Sequence, residues 1–589
     1  MSTKNTTGKV GVRHISSIDG LRAIAVTAVV LYHLGISWIP GGFLGVDLFF
    51  VISGYVITGL ILDSIERSGT LDLRAFYLSR IRRLVPALVA MIIFTLLFIG
   101  VYAPETVRRF VSDIGYVLSG SMNWALVARQ QDYFESIGRP PLLQHTWSLA
   151  VEAQFYLIWP LVLLFILKYF GKKRVSIVAL AIAIASGVAL FAYSVQIDTK
   201  ASAISHVYFG TDTHSIGLFL GSALAVSWKP ANLTREISKR AQDFIDLIGV
   251  VGLLGLLGTF LFINESDPTL YRIAFPLSAL FGCATLISVV HPASRFAPIL
   301  STKALIWIGE RSYGIYLWHW IVFQLTRPSL DLVGDDWALY ALRVLIVFAL
   351  ADISLRYIEI PVRRGYFELW FRGMKYRTKS VRIRQKLSTI LTVIALLGAT
   401  TLVANDGIRK ADEIAAQEKL AAEVSEPVDQ VITNPDSPGL WVTGDSVILG
   451  IRNVLAQFER IELINARVGR QIGELIEVAR TDQQFVGASP VVLNLGNNNR
   501  LVESDVVELM EVVKNQPKII VVNTAVPRSW KGENNALIKS VTSRYPNTIL
   551  VDWDAISANH PEFFASDGVH LNPPGVNAYV SAIREVLQK

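Results

Sequence analysis

Residues 43–62 read FLGVDLFFVISGYVITGLIL and carry a single charged side chain, that of Asp47. A helix needs about 20 mainly apolar residues to cross the hydrocarbon core of a bilayer, so this stretch predicts a membrane-spanning helix. The composition of the 589-residue chain agrees, with 52% hydrophobic residues, 17% charged residues and a mean hydropathy of +0.43. A soluble protein would carry roughly 25% charged residues. The sequence therefore predicts an integral membrane protein.

Ten further stretches have the same character, and the loops between them predict the orientation. Basic residues concentrate in the segment before the first span and in the loops after even-numbered spans, above all at 67–83 and 363–386. Cytoplasmic loops carry such an excess of Lys and Arg, so we expect the N-terminus inside and the C-terminus outside the cell. The formal charge of +7 arises from these basic loops and reflects the predicted orientation of the protein in the membrane. The charge therefore does not indicate a nucleic-acid partner, and none is expected. The predicted spans lie near 18–36, 43–62, 84–103, 145–168, 175–195, 206–227, 244–263, 272–290, 311–326, 338–357 and 386–404.

After residue 404 the composition changes, which divides the chain into domains. Residues 405–437 are charged, rich in alanine and interrupted by proline, and predict a linker that is helical around 409–424. From 438 to 589 short β-type runs alternate with helical stretches, the pattern of an α/β domain with a mostly parallel sheet.

The predicted organisation is thus a polytopic helical membrane domain of about eleven spans followed by an extracytoplasmic α/β domain. Its segments are a cytoplasmic tail at 1–17, a membrane domain at 18–360, a basic cytoplasmic loop at 361–385, a last span at 386–404, the linker at 405–437 and the outer domain at 438–589.

The single cysteine, Cys283, excludes an intramolecular disulfide and any cysteine-rich metal site. No metal site and no bound cofactor are predicted.

The outer domain contains the parts of a serine-esterase site. Gly444-Asp445-Ser446 follows a predicted strand and precedes a helical stretch, where a serine is exposed beside free backbone amides that can hold an oxyanion. A serine hydroxyl needs an adjacent base, and that base needs an orienting acid. Asp567 and His570 can supply both. Gly469 and the block Gly496-Asn497-Asn498-Asn499 lie between them in the chain.

Together these motifs resemble the SGNH hydrolase family. The resemblance implies Ser446 as nucleophile, His570 as base oriented by Asp567, and Gly469 and Asn498 as oxyanion donors, with Asn497 as the alternative to Asn498. Val526-Pro527-Arg528, Val551-Asp552-Trp553 and His560–Phe564 further resemble the extracellular domains of bacterial peptidoglycan O-acetyltransferases. Packing in the core of the domain explains Trp553 and Phe563 equally well. Arg528 is expected either to contact the acceptor sugar or to lie in a solvated loop.

Ionisable residues inside spans are costly and are functional candidates by default. The first span contains Arg22 and His33, eleven residues apart, about 16 Å along a helix and on roughly one face. This spacing fits an anion-binding group at the inner end and a proton-transfer group deeper in the bilayer. An interfacial arginine together with a core histidine explains it equally well.

The membrane domain contains four further segments that are typical of a known family. They are Phe76–Pro86, His145–Tyr156, Ser312–His319 and Tyr357–Pro361. With Arg22 and His33 they resemble the membrane acyltransferase-3 family. The resemblance implies transfer of an acetyl group from coenzyme A to an outer acceptor. Arg80 and Arg83 are then expected to bind the phosphates of the donor, with Arg22 and Glu152 also contributing to the function of the membrane domain.

Glu152 either assists release of the acetyl group or pairs with His145, and His319 and Glu359 are expected to anchor helices.

The sequence thus predicts an O-acetyltransferase that carries acetyl from cytoplasmic acetyl-CoA, with His33 as base or transient carrier, to Ser446 and on to a cell-envelope glycan. The expected acceptor is muramic acid of peptidoglycan. An envelope glycolipid or another surface polysaccharide is the first alternative, an exporter with an accessory binding domain is the second, and a deacetylating esterase is the third. The expected partners are acetyl-CoA, the glycan and the lipid bilayer, and the expected location is the bacterial cell membrane.

Overall fold

The computed structural model describes residues 15–129, 139–195, 201–265, 269–328, 331–332, 337–423, 439–467, 470–498, 500–528, 530–565 and 568–588. The chain divides into two compact units. The first is helical and ends at Gly407, and the second consists mainly of the residues from Ile408 onward.

The first unit is built from long apolar helices joined by short ones. Their bounds are α1 Ser16–His33, α2 Gly45–Ser68, α3 Leu73–Tyr102, α4 Val107–Ser119, α5 Met122–Ala128, α6 Trp147–Tyr169, α7 Lys172–Ser194, α8 Ala201–Phe209, α9 Ile216–Ser227, α10 Lys239–Phe262, α11 Phe275–Val289, α12 Ala297–Leu300, α13 Lys303–Leu325, α14 Trp337–Ser354, α15 Ile360–Arg363, α16 Tyr366–Gly373 and α17 Lys379–Glu423.

Nine helical segments in the described part of the chain are long and apolar enough to cross a membrane. The predicted sixth span is interrupted, because α8 ends at Phe209 and α9 begins at Ile216. The predicted ninth span forms α13, which has sufficient length but carries the polar residues Arg311 and His319 in its buried part. The protein is a multi-pass membrane protein, as the sequence predicts.

Two helices begin or end elsewhere than the hydropathy indicates. Helix α3 begins at Leu73 rather than near residue 84, so Arg80 and Arg83 lie on a helix and not in the loop that the sequence predicts for them. Helix α17 runs for 45 residues, about 68 Å at 1.5 Å per residue, and combines the last predicted span with the helical part of the predicted linker. Polar and apolar residues can share one helix, and a hydropathy window marks only the apolar part.

Glycines allow the central helices of the first unit to approach closely. A Cβ at Gly309 would lie 1.9 Å from the carbonyl oxygen of Asp19, so α13 packs directly on the backbone of α1. A Cβ at Gly54 would similarly lie 1.9 Å from the carbonyl oxygen of Leu218, where α2 meets α9. Small residues at such crossings are the usual means of packing helices in membranes. Substitutions at either glycine would force the backbones apart.

The second unit contains a five-stranded, entirely parallel sheet in the order β2-β1-β3-β4-β5. Apolar residues cover both faces of the sheet, one cluster including Trp441 and Ile519 and the other including Val442 and Tyr579. The fold class predicted from the sequence is confirmed. The bounds are β1 Leu440–Gly444, α18 Ser446–Phe458, β2 Ile461–Ala466, α19 Ile472–Val486, β3 Val491–Asn494, α20 Glu503–Val513, β4 Ile519–Val522, α21 Lys531–Thr542, β5 Thr548–Val551, α22 Trp553–Ser557 and α23 Pro573–Leu587.

Strand order reverses at β1, because the chain continues from β1 to β2 on one side and then returns to β3 on the other. In open parallel sheets, ligands bind at the carboxyl ends of the strands beside such a switch point. The crevice between the ends of β1 and β3 is therefore the position at which this fold is expected to hold a site.

Candidate active site and membrane cavity

Ser446 lies at the switch point of the sheet. Strand β1 ends at Gly444 and α18 begins at Ser446, so the serine is the first residue of the helix. Asp445 caps that helix, its Oδ1 accepting a hydrogen bond of 2.9 Å from the backbone N–H of Val447. Ser446 thus lies at the positive end of a helix, where negative charge is stabilised. It is buried and not exposed as the sequence predicts, because strand β1 delivers it into the interior of the domain.

Two consecutive amides after β3 converge on Asp445. The Nδ2 of Asn497 donates to Asp445 Oδ2 at 2.8 Å and to Asn494 Oδ1 at 2.8 Å, which occupies both of its hydrogens. The Nδ2 of Asn498 also has both hydrogens engaged, but in longer bonds, to the same Asp445 oxygen at 3.1 Å and to the carbonyl oxygen of Arg470 at 3.1 Å. Asn497 is buried, whereas Asn498 is half-buried at the mouth of the crevice. Of the two, Asn498 is therefore better placed to meet a ligand.

A buried arginine holds the ends of β1 and β2 together. The guanidinium of Arg470 donates to the carbonyl oxygen of Gly444 at 3.2 Å, to the carbonyl oxygen of Asn465 at 2.6 Å and to Asn465 Oδ1 at 2.8 Å. The site thus has a rigid floor, because two strand ends share one planar donor group.

The carboxyl group of Asp445 is only 2% exposed. Burial raises its pKa from 3.8 to about 6, and the hydrogen bonds from Val447 and Asn497 oppose the shift only in part. At neutral pH the group is mostly ionised and acts as an acceptor for both asparagine amides.

The remaining predicted residues of the triad and oxyanion hole fall partly outside the described chain. His570 lies close enough to Asp445 for its charge to act on that carboxyl group. Its carbonyl oxygen accepts from the N–H of Ala565 at 2.8 Å, which closes the turn before α23. Asp567 and Gly469 lie outside the described residues. The structure therefore brings Ser446, Asn498 and His570 to one region, and their catalytic roles stay predictions.

Trp553 and Phe563 pack in the core, which is the alternative that the sequence left open for them. Trp553 is 3% exposed, and its ring stacks on that of Phe563 at 5.9 Å and meets the edge of Tyr579 at 4.8 Å. The guanidinium of Arg528 lies 5.9 Å from the ring of Trp530. Phe563 is also connected to the loop that carries His570, because its carbonyl oxygen accepts a hydrogen bond of 2.8 Å from the N–H of Asn572.

The helical unit encloses a cavity of about 1430 Å³. Seven basic and five acidic side chains line it, in addition to apolar and hydroxyl groups. Arg22, Arg80, Arg83 and Glu152 are all among the lining residues, although they belong to three different helices, α1, α3 and α6. The four membrane-domain residues predicted from the family resemblance thus share one chamber. The charged lining residues are Asp19, Arg22, Asp63, Arg80, Arg83, Glu152, Lys229, Arg235, Glu310, Glu359, Arg363 and Arg364.

Arg80 and Arg83 of α3 differ from Arg22 and Lys229, two basic side chains of the cavity wall that have a carboxylate partner. Lys229 pairs with Asp63 and Glu66, and Arg22 pairs with Asp19 at 3.5 Å. Within the described residues, no carboxylate oxygen lies within ion-pair distance of Arg80 or Arg83, and Arg80 makes one hydrogen bond, to Ser79 Oγ at 3.3 Å. Two guanidinium groups facing a cavity without an ion-pair partner favour an anionic ligand.

Glu152 is bound by hydroxyl groups of the cavity wall. Its Oε1 accepts from Ser53 Oγ at 2.6 Å and its Oε2 accepts from Tyr156 Oη at 2.9 Å. His145 instead points to the carbonyl oxygen of Leu317, at 3.1 Å from Nε2. The pairing of Glu152 with His145 that the sequence suggested is therefore wrong. The two residues lie two helical turns apart, and packing directs them to different neighbours.

His33 lies at the far end of α1 from the cavity and belongs to a cluster of histidines. Its Nδ1 is 3.2 Å from Nε2 of His319 on α13, and the His319 ring is 6.0 Å from that of His145. Tyr316 links the two regions, because it lines the cavity and its ring is 5.4 Å from that of His319. The contact of His33 with His319 spans 286 residues of sequence, and no local pattern could have predicted it.

The sequence motifs did not identify Asp445 and Arg470 as parts of the site. Asp445 stands in the Gly-Asp-Ser motif that singled out the serine, which was an available signal. Arg470 follows Gly469 directly, but nothing in the sequence indicates that its side chain is buried beneath the crevice. No group of three or more metal-ligating side chains is positioned to hold a metal ion among the described residues.

Comparison with known proteins confirms the family resemblance predicted from the sequence. Residues 15–356 match the acyltransferase-3 family model, described as an acyltransferase domain. The chain is 33% identical to the peptidoglycan O-acetyltransferase OatA of Listeria monocytogenes, over 98% of this chain and 99% of that protein. It is 32% identical to the O-acetyltransferase OatA of Staphylococcus aureus, over 98% of this chain and 96% of that protein.

A solved structure is also similar to part of the chain. The C-terminal catalytic domain of peptidoglycan O-acetyltransferase A from Streptococcus pneumoniae, determined with a methylsulfonyl adduct, is 25% identical, with 26% of this chain and 93% of that chain covered and a TM-score of 0.23.

The family match covers more than half of the chain, and the relatives align with both the helical unit and the α/β unit. The chain therefore belongs to the acyltransferase-3 family of membrane acyltransferases and is an O-acetyltransferase with a C-terminal α/β domain.

Proposed function

We propose that this O-acetyltransferase takes acetyl from cytoplasmic acetyl-CoA, passes it through the helical unit and transfers it by way of Ser446 to muramic acid of peptidoglycan. The observation that carries the proposal is the presence of two separate centres in one chain. One is the membrane cavity with Arg80 and Arg83, and the other is the crevice at Ser446. An enzyme that only hydrolysed acetyl esters would have no use for the first centre.

On the donor side, the phosphates of acetyl-CoA bind Arg80 and Arg83. Both guanidinium groups lack an ion-pair partner in the described chain, and planar guanidinium groups bind phosphate in a bidentate manner. Arg22 on α1 lines the same cavity and adds positive charge. The orientation with the N-terminus inside places this cavity on the cytoplasmic side, as the distribution of Lys and Arg in the loops favours.

The acetyl group then moves towards His33. Tyr316, which lines the cavity, contacts the ring of His319, and His319 contacts His33. In this scheme a nucleophile of the acetyl carrier attacks the thioester carbonyl while His33 Nε2 accepts its proton. The C–S bond then breaks, and His33 returns the proton to the sulfur of coenzyme A, which leaves as the free thiol. The hydroxyl groups around Glu152 keep that carboxylate solvated inside the bundle.

In the C-terminal domain, Ser446 Oγ attacks the acetyl carbonyl while His570 removes its proton and Asp567 orients the imidazole. The oxyanion forms hydrogen bonds with the backbone N–H of Gly469 and with the Nδ2 of Asn498, which gives up its bond to the carbonyl oxygen of Arg470. His570 returns the proton to the leaving group, which yields the acetyl-serine. A sugar hydroxyl then attacks this ester with His570 again as base, and Ser446 is regenerated.

The proposal for the acceptor rests on the relatives named as peptidoglycan O-acetyltransferases. Mass spectrometry of wall glycans and envelope lipids from a deletion strain tests it. We expect loss of one acetyl group from muramic acid, restored by the wild-type gene. Loss from a glycolipid or a surface polysaccharide instead would contradict the assignment of peptidoglycan.

The two-centre scheme is tested with Ser446→Ala and His33→Ala in the full-length protein. Ser446→Ala should abolish acetylation of the glycan without reducing the amount of protein in the membrane. His33→Ala should also abolish acetylation but should keep turnover of a soluble activated acetyl ester, because that substrate reaches Ser446 directly. Full glycan acetylation by Ser446→Ala, or loss of ester turnover in His33→Ala, would refute the division of labour.

A further inference from the structure

The contact between His33 and His319 has a defined geometry. His319 Nδ1 lies 2.7 Å from the carbonyl oxygen of Tyr316 and 3.2 Å from that of Ile315. His319 Nε2 lies 3.2 Å from Nδ1 of His33, and that same Nδ1 lies 2.9 Å from the carbonyl oxygen of Val29. Each ring is thus held by backbone acceptors and directed at the other ring.

These distances determine where the protons are on two neutral rings. A carbonyl oxygen only accepts hydrogen bonds, so His319 carries its proton on Nδ1 and presents a lone pair at Nε2. The same argument places the proton of His33 on Nδ1, where it is shared between Val29 and His319. In this tautomer of a neutral imidazole the lone pair is on Nε2, which is the nitrogen that takes up a second proton.

We propose that His319 is a positioning residue for His33, holding its ring with Nε2 as the basic nitrogen and stabilising the imidazolium that forms when Nε2 takes a proton. The inference rests on the proposed role of His33 as a base. The lone pair of His319 Nε2 faces the N–H that becomes more acidic when His33 is protonated, so the hydrogen bond strengthens as charge develops. This is the role that an orienting acceptor has in catalytic triads.

The surroundings of His319 favour this role over helix packing alone. The residue is fully buried, and a buried polar ring is costly unless its nitrogens have partners. Leucine or phenylalanine would fill the same space without that cost. Helices α1 and α13 also come into backbone contact at Gly309, ten residues before His319, so the two helices pack closely along this pair.

The test uses full-length protein in proteoliposomes, with acetyl-CoA as the varied substrate and acetyl transfer as the signal. We expect His319→Leu to lower kcat by about 100-fold, within the range of general acid–base contributions, and to change KM for acetyl-CoA less than threefold. His319→Gln keeps an acceptor oxygen near the position of Nε2 and should recover at least tenfold of the loss. His291→Leu, at another buried histidine of the helical unit, is the matched control and should keep kcat within threefold.

A double variant separates positioning from packing. If His319 acts through His33, then His33→Ala combined with His319→Leu should be no slower than His33→Ala alone. A further loss in the double variant, equal losses for His319→Leu and His319→Gln, or a kcat of His319→Leu like that of His291→Leu would each overturn the inference. Full activity of His33→Ala would instead refute the proposed role of His33, which is a distinguishable result.

Discussion

Alanine substitutions at the two adjacent asparagines should affect different properties of the domain. Asn498→Ala should mainly lower activity, and Asn497→Ala should mainly lower stability. Asn498 is the half-buried amide at the mouth of the crevice, and as oxyanion donor its removal should lower kcat by 10²- to 10³-fold, or about 2.7–4 kcal/mol. Its cost in stability should be smaller than that of Asn497→Ala, about 1–2 kcal/mol, because its two bonds are longer, at 3.1 Å, water can replace them at a half-buried position, and Asp445 keeps its bonds from Val447 and Asn497. Activity should thus fall without unfolding.

Asn497→Ala removes two short hydrogen bonds from a buried position. The bond to the Asp445 carboxylate contributes about 1.5–3 kcal/mol and the bond to Asn494 about 0.5–1.5 kcal/mol. We therefore expect a loss of about 2–4 kcal/mol in the free energy of unfolding. The decrease in kcat should be smaller than for Asn498→Ala when both are measured under conditions where the domain is folded.

Both quantities can be measured on the full-length protein. Turnover of an activated acetyl ester reports kcat at Ser446, and pulse proteolysis across a urea series reports the stability of the C-terminal domain. If Asn497→Ala lost 10²-fold or more in kcat at unchanged stability while Asn498→Ala stayed active, the assignment of the oxyanion donor would be reversed.

Two further predictions concern charge. Burial raises the pKa of Asp445 to about 6, so its protonation stabilises the folded domain fully below pH ~3.8, and this stabilisation is lost as the pH rises through 6. The free energy of unfolding of wild type, relative to that of Asp445→Asn, should therefore increase by about 1–1.5 kcal/mol when the pH is lowered from 7.5 to 5. A difference between the two proteins that does not change with pH in pulse proteolysis would refute the shift. Arg83→Gln should raise KM for acetyl-CoA about tenfold with a smaller change in kcat, as measured by steady-state titration of acetyl-CoA. Arg83→Lys should restore part of the lost affinity, since it keeps the positive charge. An unchanged KM in Arg83→Gln would contradict phosphate binding at Arg83.

Local features of the chain are those that the sequence predicts well. The apolar stretches give the membrane helices because crossing a bilayer requires a minimum apolar length within one segment. The short β-type runs after residue 438 give the parallel sheet, and the Gly-Asp-Ser motif falls at a strand end because strand and helix propensities change there. The beginning of α3 was misplaced for the same reason, since Arg80 and Arg83 are polar residues within a helix.

Motif order along the chain also predicted which residues of the C-terminal domain meet. Ser446 and Asn498 both follow strands of a parallel sheet, and the carboxyl ends of parallel strands lie at one edge. What the motifs could not give is the hydrogen-bond partner of each amide, because Asn497 and Asn498 differ by one residue in sequence and by their direction in space.

The sequence by itself thus determined the fold class and the division into a membrane and an α/β domain. It also singled out the candidate residues Ser446, Asn498, Arg80, Arg83 and His33. The tertiary structure alone decided that Arg22, Arg83 and Glu152 share a cavity, and that His33 meets His319 rather than a residue near it in sequence. The spacing of residues along one helix follows from its rise and turn. Contacts between helices depend instead on which faces pack and how closely small residues such as Gly309 let their backbones approach.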